Sequence, residues 1–192
     1  MFCFKIDEDL QLRLLKERHA EELLGLLDRD REYFRQWLAD TDSLKTLDDV
    51  KRAMKVWLEG FANDTRLETG IWFQHQLIGV VGLDEIDQYQ KTASMSYYLA
   101  AERQGHGTMT TCVRALVSYA FREMDLHRVV IYCPTENAKS RAIPERLGFR
   151  EEGITRESWW LNDHFVDIAI YAMLAREWNS TGTALACHIR RK

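Results

Sequence analysis

Two glycines one residue apart, Gly105 and Gly107, stand in the stretch Gln104-Gly105-His106-Gly107-Thr108, directly ahead of a segment with helical periodicity. A glycine-rich turn that feeds a helix presents backbone N–H groups that have no partner inside the helix, and the helix dipole adds positive potential at the same end. With no Cβ at 105 or 107, the backbone from about Gly107 to Met109 can approach a bulky diphosphate. By itself the pattern also occurs as an ordinary tight turn into a helix. Further along, Ser140 follows Asn137 by three residues, and Gly148-Phe149 follow it by eleven and twelve. Carboxylates collect at the ends of two apolar runs: Asp84, Glu85 and Asp87 after Val80 to Leu83, and Glu136 after Arg128 to Cys133. Each is a candidate proton acceptor, although a strand-end carboxylate is ordinarily just solvated; Glu85 is the choice among them.

The elements that must position these residues follow from periodicity. Leu10 to Leu15 reads as a strand, and Arg18 to Arg29 sets Ala20, Leu23, Leu24 and Leu27 on one helical stripe. A second helix is expected from about Thr46, with Asp48 and Asp49 in its first turn and Val50, Met54, Trp57, Leu58 and Phe61 on one face. Trp57 and Phe61 read as core, the usual meaning of aromatic residues at helical spacing. Gly70 to Ile86 is rich in β-branched and aromatic residues around Gln74-His75-Gln76, which predicts a hairpin. Thr92 to Leu99 is a further strand, and it delivers the chain to the glycine pair. After it, Met109, Cys112, Val113, Leu116, Val117, Ala120, Phe121 and Met124 recur at helical spacing. His127 to Cys133 is a strand apolar enough for burial on both faces. Asn137 N-caps a short helix that Gly148 ends. Arg150 to Leu161 and Phe165 to Leu174 flank Asn162-Asp163 as a closing antiparallel hairpin.

The whole chain limits the function classes. Its 192 residues suit one α/β domain over 1–178, with 179–192 as an appended tail of no clear periodicity. A net charge of -4 supplies no basic footprint for nucleic acid, and its mild acidity attracts a cationic amine. Cys3, Cys112, Cys133 and Cys187 are scattered, with no CxxC pair and no histidine at ligand spacing, so neither a disulfide framework nor a metal site is expected. The amino terminus acquires charge at Lys5 and Asp7, unlike a signal peptide, and no segment approaches the ~20 apolar residues of a membrane span. A cytoplasmic protein away from membranes is the expectation.

Taken in order, Gly-x-Gly opening a long helix, then a strand, then Asn137-x-x-Ser140 and Gly148-Phe149, resemble the GNAT acetyltransferase superfamily over Thr92 to Phe149. Trp37-Leu38, Asn137-x-x-Ser140-Arg141-Ala142 and Leu161-Asn162-Asp163…Asp167…Tyr171-Ala172 resemble its branch that acetylates the amino-terminal serine or alanine of ribosomal proteins, so that the likeness runs from about Leu10 to Trp178. The resemblance implies a mixed, mostly antiparallel central sheet, splayed between two parallel strands and flanked by about four helices. It implies acetyl-coenzyme A as co-substrate and no metal. The pantetheine arm would pair with the backbone around Tyr98, Leu99 and Ala100. The pyrophosphate would sit on Arg103, Gln104, Gly105, His106, Gly107, Thr108 and Met109, with Asn137 and Ser140 beside the cofactor.

Three departures from the family pattern shape the expected mechanism. Glu102 stands three residues before the first glycine, where relatives often have Arg or Gln, so the carboxylate must point away and Arg103 with backbone donors must hold the diphosphate. Pro144 stands where many relatives place a thiolate-protonating Tyr, which moves the role of general acid to Ser140. Pro144 also deprives the Ser140 carbonyl of its helical donor. Trp159 stands where the branch places its suspected base, a Glu, which leaves the base to Glu85 or its neighbours. Trp37 and Trp159 are then candidate substrate contacts, and the pair Trp159-Trp160 would serve a homodimer contact equally well. The acceptor expected from the branch is a protein N-terminal amine. A small amine such as a polyamine, amino sugar or antibiotic is the alternative, and a non-catalytic coenzyme A sensor is the reading from another class.

Overall fold

The computed structural model describes residues 3–178, and the tail expected over 179–192, with Cys187, lies outside the described residues. Eight strands form one sheet: β1 (Cys3–Lys5), β2 (Leu10–Leu14), β3 (Leu67–Phe73), β4 (Gln76–Asp87), β5 (Thr92–Leu99), β6 (Arg128–Pro134), β7 (Arg150–Leu161) and β8 (His164–Leu174). Their order across the sheet is β1-β2-β3-β4-β5-β6-β8-β7. Every neighbouring pair is antiparallel except β5 and β6. The fold is therefore the mixed, mostly antiparallel sheet expected, with one parallel pair.

Six helices accompany the sheet: α1 (Ala20–Arg29), α2 (Arg31–Arg35), α3 (Leu47–Ala62), α4 (Thr108–Arg122), α5 (Ala138–Arg146) and α6 (Ala175–Trp178). Four of them, α1, α3, α4 and α5, are those anticipated. The five-residue α2 and four-residue α6 are too short to leave a periodic signal, and the three-residue β1 is equally silent. Thr46 caps α3 by accepting from the Asp49 N–H while Asp49 returns to the Thr46 N–H at 2.9 Å, a reciprocal capping box.

The middle strands of the sheet are buried on both faces. Leu67, Val81, Leu83, Met95 and Ile131 pack against Cys112, Val113, Leu116 and Ala120 of α4. On the opposite face Trp72, Val80 and Ala100 pack against Leu23 and Leu27 of α1, Phe34 of α2, and Val50 and Met54 of α3. Alternation along each strand sends neighbouring residues to opposite faces, so each face of β5 reaches a different helix layer. No helix of the described residues is long and apolar enough to cross a membrane.

Candidate active site

Pairing between β5 and β6 runs from Thr92↔Arg128 to Met95↔Ile131 and then stops. On the outer sides β5 remains paired with β4 to Leu99, and β6 with β8 to Pro134. The two strands therefore splay beyond Met95 and Ile131 while each is still held by its other neighbour. The opening leads into a cavity of about 1880 Å³. This exceeds the ~300–1,000 Å³ of an ordinary small-ligand pocket, which leaves room for an extended ligand and a second reactant. The Ala100 N–H donates to the Ile78 carbonyl at 2.8 Å. Because backbone groups alternate along a strand, Tyr98 and Ala100 turn theirs to β4, while those of Tyr97 and Leu99 face the opening. Of the backbone expected to pair with the pantetheine arm, Leu99 therefore faces the opening, whereas Tyr98 and Ala100 do not, and the Ala100 N–H is already used. The Leu99 carbonyl also has a partner, the side-chain amide of Gln104 at 3.2 Å.

The glycine turn sits at the mouth. Gly105 and Gly107 both have left-handed backbone, at φ 80° and 77°, and Gly107 is the N-cap of α4. Gly105, Gly107, Thr108 and Met109 line the cavity, whereas His106 is exposed and is not among the lining residues. Glu102 is turned aside as expected, its carboxylate 3.4 Å from Arg29. The Arg103 guanidinium lies over the Phe73 ring at 5.2 Å and donates to Gln76; its buried Nε lies 3.8 Å from the Glu102 carboxylate and makes no hydrogen bond among the described residues. Arg114, Lys139 and Arg146 also line the cavity, an additional set of cations that spacing along the chain did not reveal. Lys139 Nζ reaches across the opening to Gln104 Oε1 at 3.1 Å, where Tyr33 also donates at 3.3 Å.

Asn137 caps α5 by accepting from the Ser140 N–H at 3.0 Å, so the Asn-x-x-Ser spacing is a capping turn that fixes the first turn of this helix. Pro144 lies inside α5 and cannot donate to the Ser140 carbonyl. The Tyr97 hydroxyl supplies the missing bond at 3.0 Å. Ser140 Oγ in turn donates to Tyr97 Oη at 3.3 Å and lies 3.2 Å from Cys133 Sγ. With the serine proton directed at Tyr97, the thiol is the donor to Ser140, so the chain reads Cys133, Ser140, Tyr97, carbonyl. Burial pushes the Tyr97 phenol well above its ordinary range, helped by the Cys133 sulfur, and burial also lifts the Cys133 thiol. All three groups therefore keep their protons at neutral pH, and such a chain can hand a proton to an anion arriving in the cleft. Tyr97→Phe would remove a donor from a partly buried carbonyl and is expected to cost about 1–3 kcal/mol, read by chemical denaturation. An unchanged unfolding midpoint would mean that the carbonyl finds another donor.

The far side of the cleft is aromatic. Trp37, Trp57, Trp159 and Trp160 all line it. Trp57, expected wholly in the core, packs against the α1 and α3 layer and also faces the cavity. Trp159 is 43% exposed and tilts toward Tyr132 with ring centroids 6.3 Å apart. The hairpin tip is tied across the cleft by Asn162, whose side-chain amide donates to the Arg35 carbonyl at 2.6 Å. The strand-end carboxylates divide. Glu85 is exposed, at φ 49° on a bulge, although it lines the cavity rim. Asp87 accepts from the N–H groups of Tyr89 and Gln90, both at 2.8 Å, in its own turn, and Glu136 is exposed and is not among the lining residues. Asp84 is the one turned inward, 3.0 Å from Arg66 and 2.6 Å from the Ser96 hydroxyl. Among the described residues no group of three or more metal-ligating side chains comes together.

The sequence matches the acetyltransferase (GNAT) domain model over residues 9–150. YdaF of Bacillus subtilis (strain 168), a ribosomal N-acetyltransferase by name, is 34% identical over 179 residues, which is 93% of this chain and 98% of that one. The ribosomal-protein-serine acetyltransferase of Escherichia coli (strain K12) is 27% identical over 174 residues, covering 88% and 95%. Among solved structures, the microcin C7 self-immunity acetyltransferase MccE, in complex with acetyl-CoA and AMP, superposes with a TM-score of 0.84 at 27% identity over 88% of this chain and 94% of that one. A splayed sheet, a left-handed glycine turn at its mouth and a family match that spans both lead to one conclusion: the chain belongs to the GNAT N-acetyltransferases.

Proposed function

We propose that this enzyme transfers the acetyl group of acetyl-coenzyme A to the N-terminal amine of a ribosomal protein, by direct attack within a ternary complex. The observation that carries the reading is the parting of β5 from β6 beyond Met95 and Ile131, with the glycine turn on one side and Ser140 on the other. The pantetheine arm fills the gap as an extra strand on the backbone of Tyr97 and Leu99, and the diphosphate rests on Gly105 to Met109 with Arg103 and the neighbouring cations. The thioester then lies near the point of splaying, within reach of Ser140. Attack by nitrogen forms the C–N bond and breaks the C–S bond, and Ser140 delivers a proton to the departing thiolate. Trp37 and Trp159 flank the incoming acceptor. Residues 1–178 act as one domain, with 179–192 appended.

A small-molecule amine is the second reading, and it is favoured by Trp159 standing where the ribosomal branch carries a carboxylate. An acceptor screen separates the two. Purified protein is incubated with acetyl-coenzyme A and either ribosomal N-terminal peptides or polyamines and amino sugars, and free thiol is followed. Peptides beginning with serine or alanine are expected to give the highest kcat/KM. Turnover confined to small amines would transfer the assignment to them, and calorimetric binding of acetyl-coenzyme A with no thiol release from any amine would leave a sensor domain.

A further inference from the structure

One buried acid in the cleft has no part in the mechanism so far. Glu68, on β3, is only 6% exposed yet lines the cavity. Among the described residues no ion pair reaches it, since Arg66 pairs with Asp84 instead. Its acidic neighbour is Asp84, which lines the same cavity. The arrangement depends on Gly82, which lies directly across from Glu68 on β4. A Cβ at Gly82 would fall 2.3 Å from Glu68 Oε2, so the Glu68 side chain leans flat over this strand. It leans toward Ser96, the next partner in the same rung on β5. Ser96 is the first residue past the last β5–β6 pair, and its hydroxyl donates to Asp84 at 2.6 Å. The next residue, Tyr97, turns to the other face and holds Ser140. Two adjacent residues at the point of splaying thus carry two proton-handling groups, one on each face of the sheet.

We infer that the Glu68–Asp84 carboxyl pair receives the acceptor's amino group on the face opposite Ser140, with Glu68 as the group that takes its proton. This rests on the acetyl-transfer reading above and assigns the base to Glu68 in place of Glu85, which is exposed on its bulge. An ammonium arriving beside the pair loses one proton to Glu68 and becomes the nucleophile. Attack on the thioester carbon forms the C–N bond, and collapse breaks the C–S bond. The nitrogen sheds a second proton as the amide forms, which balances the one that the thiolate takes through Ser140, while the proton on Glu68 returns to solvent. Glu68 titrates above the ordinary carboxylate range, first because burial disfavours its charge and then because Asp84 lies beside it, with Arg66 opposing. Asp84 on β4, Arg66 ahead of β3 and Tyr98 on β5 are the titratable groups that face it.

The test is Glu68→Gln, which keeps shape and removes the base. With acetyl-coenzyme A affinity and melting temperature unchanged, kcat/KM for the amine is expected to fall about tenfold or more at alkaline pH. That is below the ~10²-fold typical of a lost general base because Asp84 remains. The ratio of wild type to variant should shrink toward one as pH is lowered and Glu68 becomes protonated, whereas a purely structural role would leave the ratio independent of pH. Asp84→Asn should show the same collapse of the ratio if the pair acts together. A wild type that turns over amines with a pH-independent ratio, or with no loss, overturns this assignment alone. A wild type that acetylates no amine overturns the acetyl-transfer reading and this one with it.

Discussion

Ser140→Ala is expected to lower kcat on the order of 10²-fold while leaving the affinity for acetyl-coenzyme A unchanged, a loss of about 2.7 kcal/mol of transition-state stabilisation. The structure explains why the two quantities separate. The bond that Tyr97 donates goes to the Ser140 carbonyl, and the cap that Asn137 provides goes to the Ser140 N–H. Both are backbone contacts that alanine keeps. Only the hydroxyl between Cys133 and Tyr97 disappears, so α5 stays in place and the thiolate loses its donor. The measurement is free-thiol release at saturating acceptor, beside calorimetry with the cofactor. Equal falls in kcat and kcat/KM would identify an interaction made only in the transition state. An unchanged kcat would remove Ser140 from the proton path.

Gly107→Val should act on the opposite quantity, weakening cofactor binding about 10²-fold. Two effects add. A β-branched residue at φ 77° is strained, at about 1–2 kcal/mol for a left-handed residue and more for valine. A Cβ there meets nothing of the protein within 4 Å, so its obstruction falls on the ligand and on the helix N–H groups beneath it. Each charge-assisted bond lost is worth roughly 1.5–3 kcal/mol, and 1.4 kcal/mol is tenfold in affinity. Calorimetric titration with coenzyme A checks the prediction, and Gly107→Ala should fall between wild type and valine. Retained affinity in both variants would separate the diphosphate from this turn.

Periodicity carried the framework. The helix after Gly107, both hairpins and the strand ahead of Asn137 stand where alternation and helical spacing put them, because each is long enough to bury a recognisable face. The glycine turn and the Asn137 cap were legible because they are local devices with local signatures. The proton chemistry was not. Tyr97 and Lys139 acquire meaning from what lies across the opening, tens of residues away. Glu68 is the clearest instance, since a lone acid in the strand Leu67–Phe73 ordinarily points to water, and its burial follows from a glycine on the neighbouring strand. Glu85, next to Asp84 in sequence, sits on a bulge at the cavity rim, and only the folded register separates the two. Glu102, by contrast, behaved as its charge required.

Pro144 has a consequence for when the site comes into being. In an ordinary helix the Ser140 carbonyl would be satisfied four residues along, as soon as that turn closed. Here its donor is Tyr97, 43 positions earlier in the chain, and no local event can provide it. Helical turns form early and cheaply, whereas contacts of large sequence separation wait until the intervening chain has been ordered. Since α4 and β6 both lie between these partners, the serine is oriented only when the layers have docked. A chain that has its helices but not yet its sheet therefore carries the right residues in the right order, with Ser140 not yet held by Tyr97.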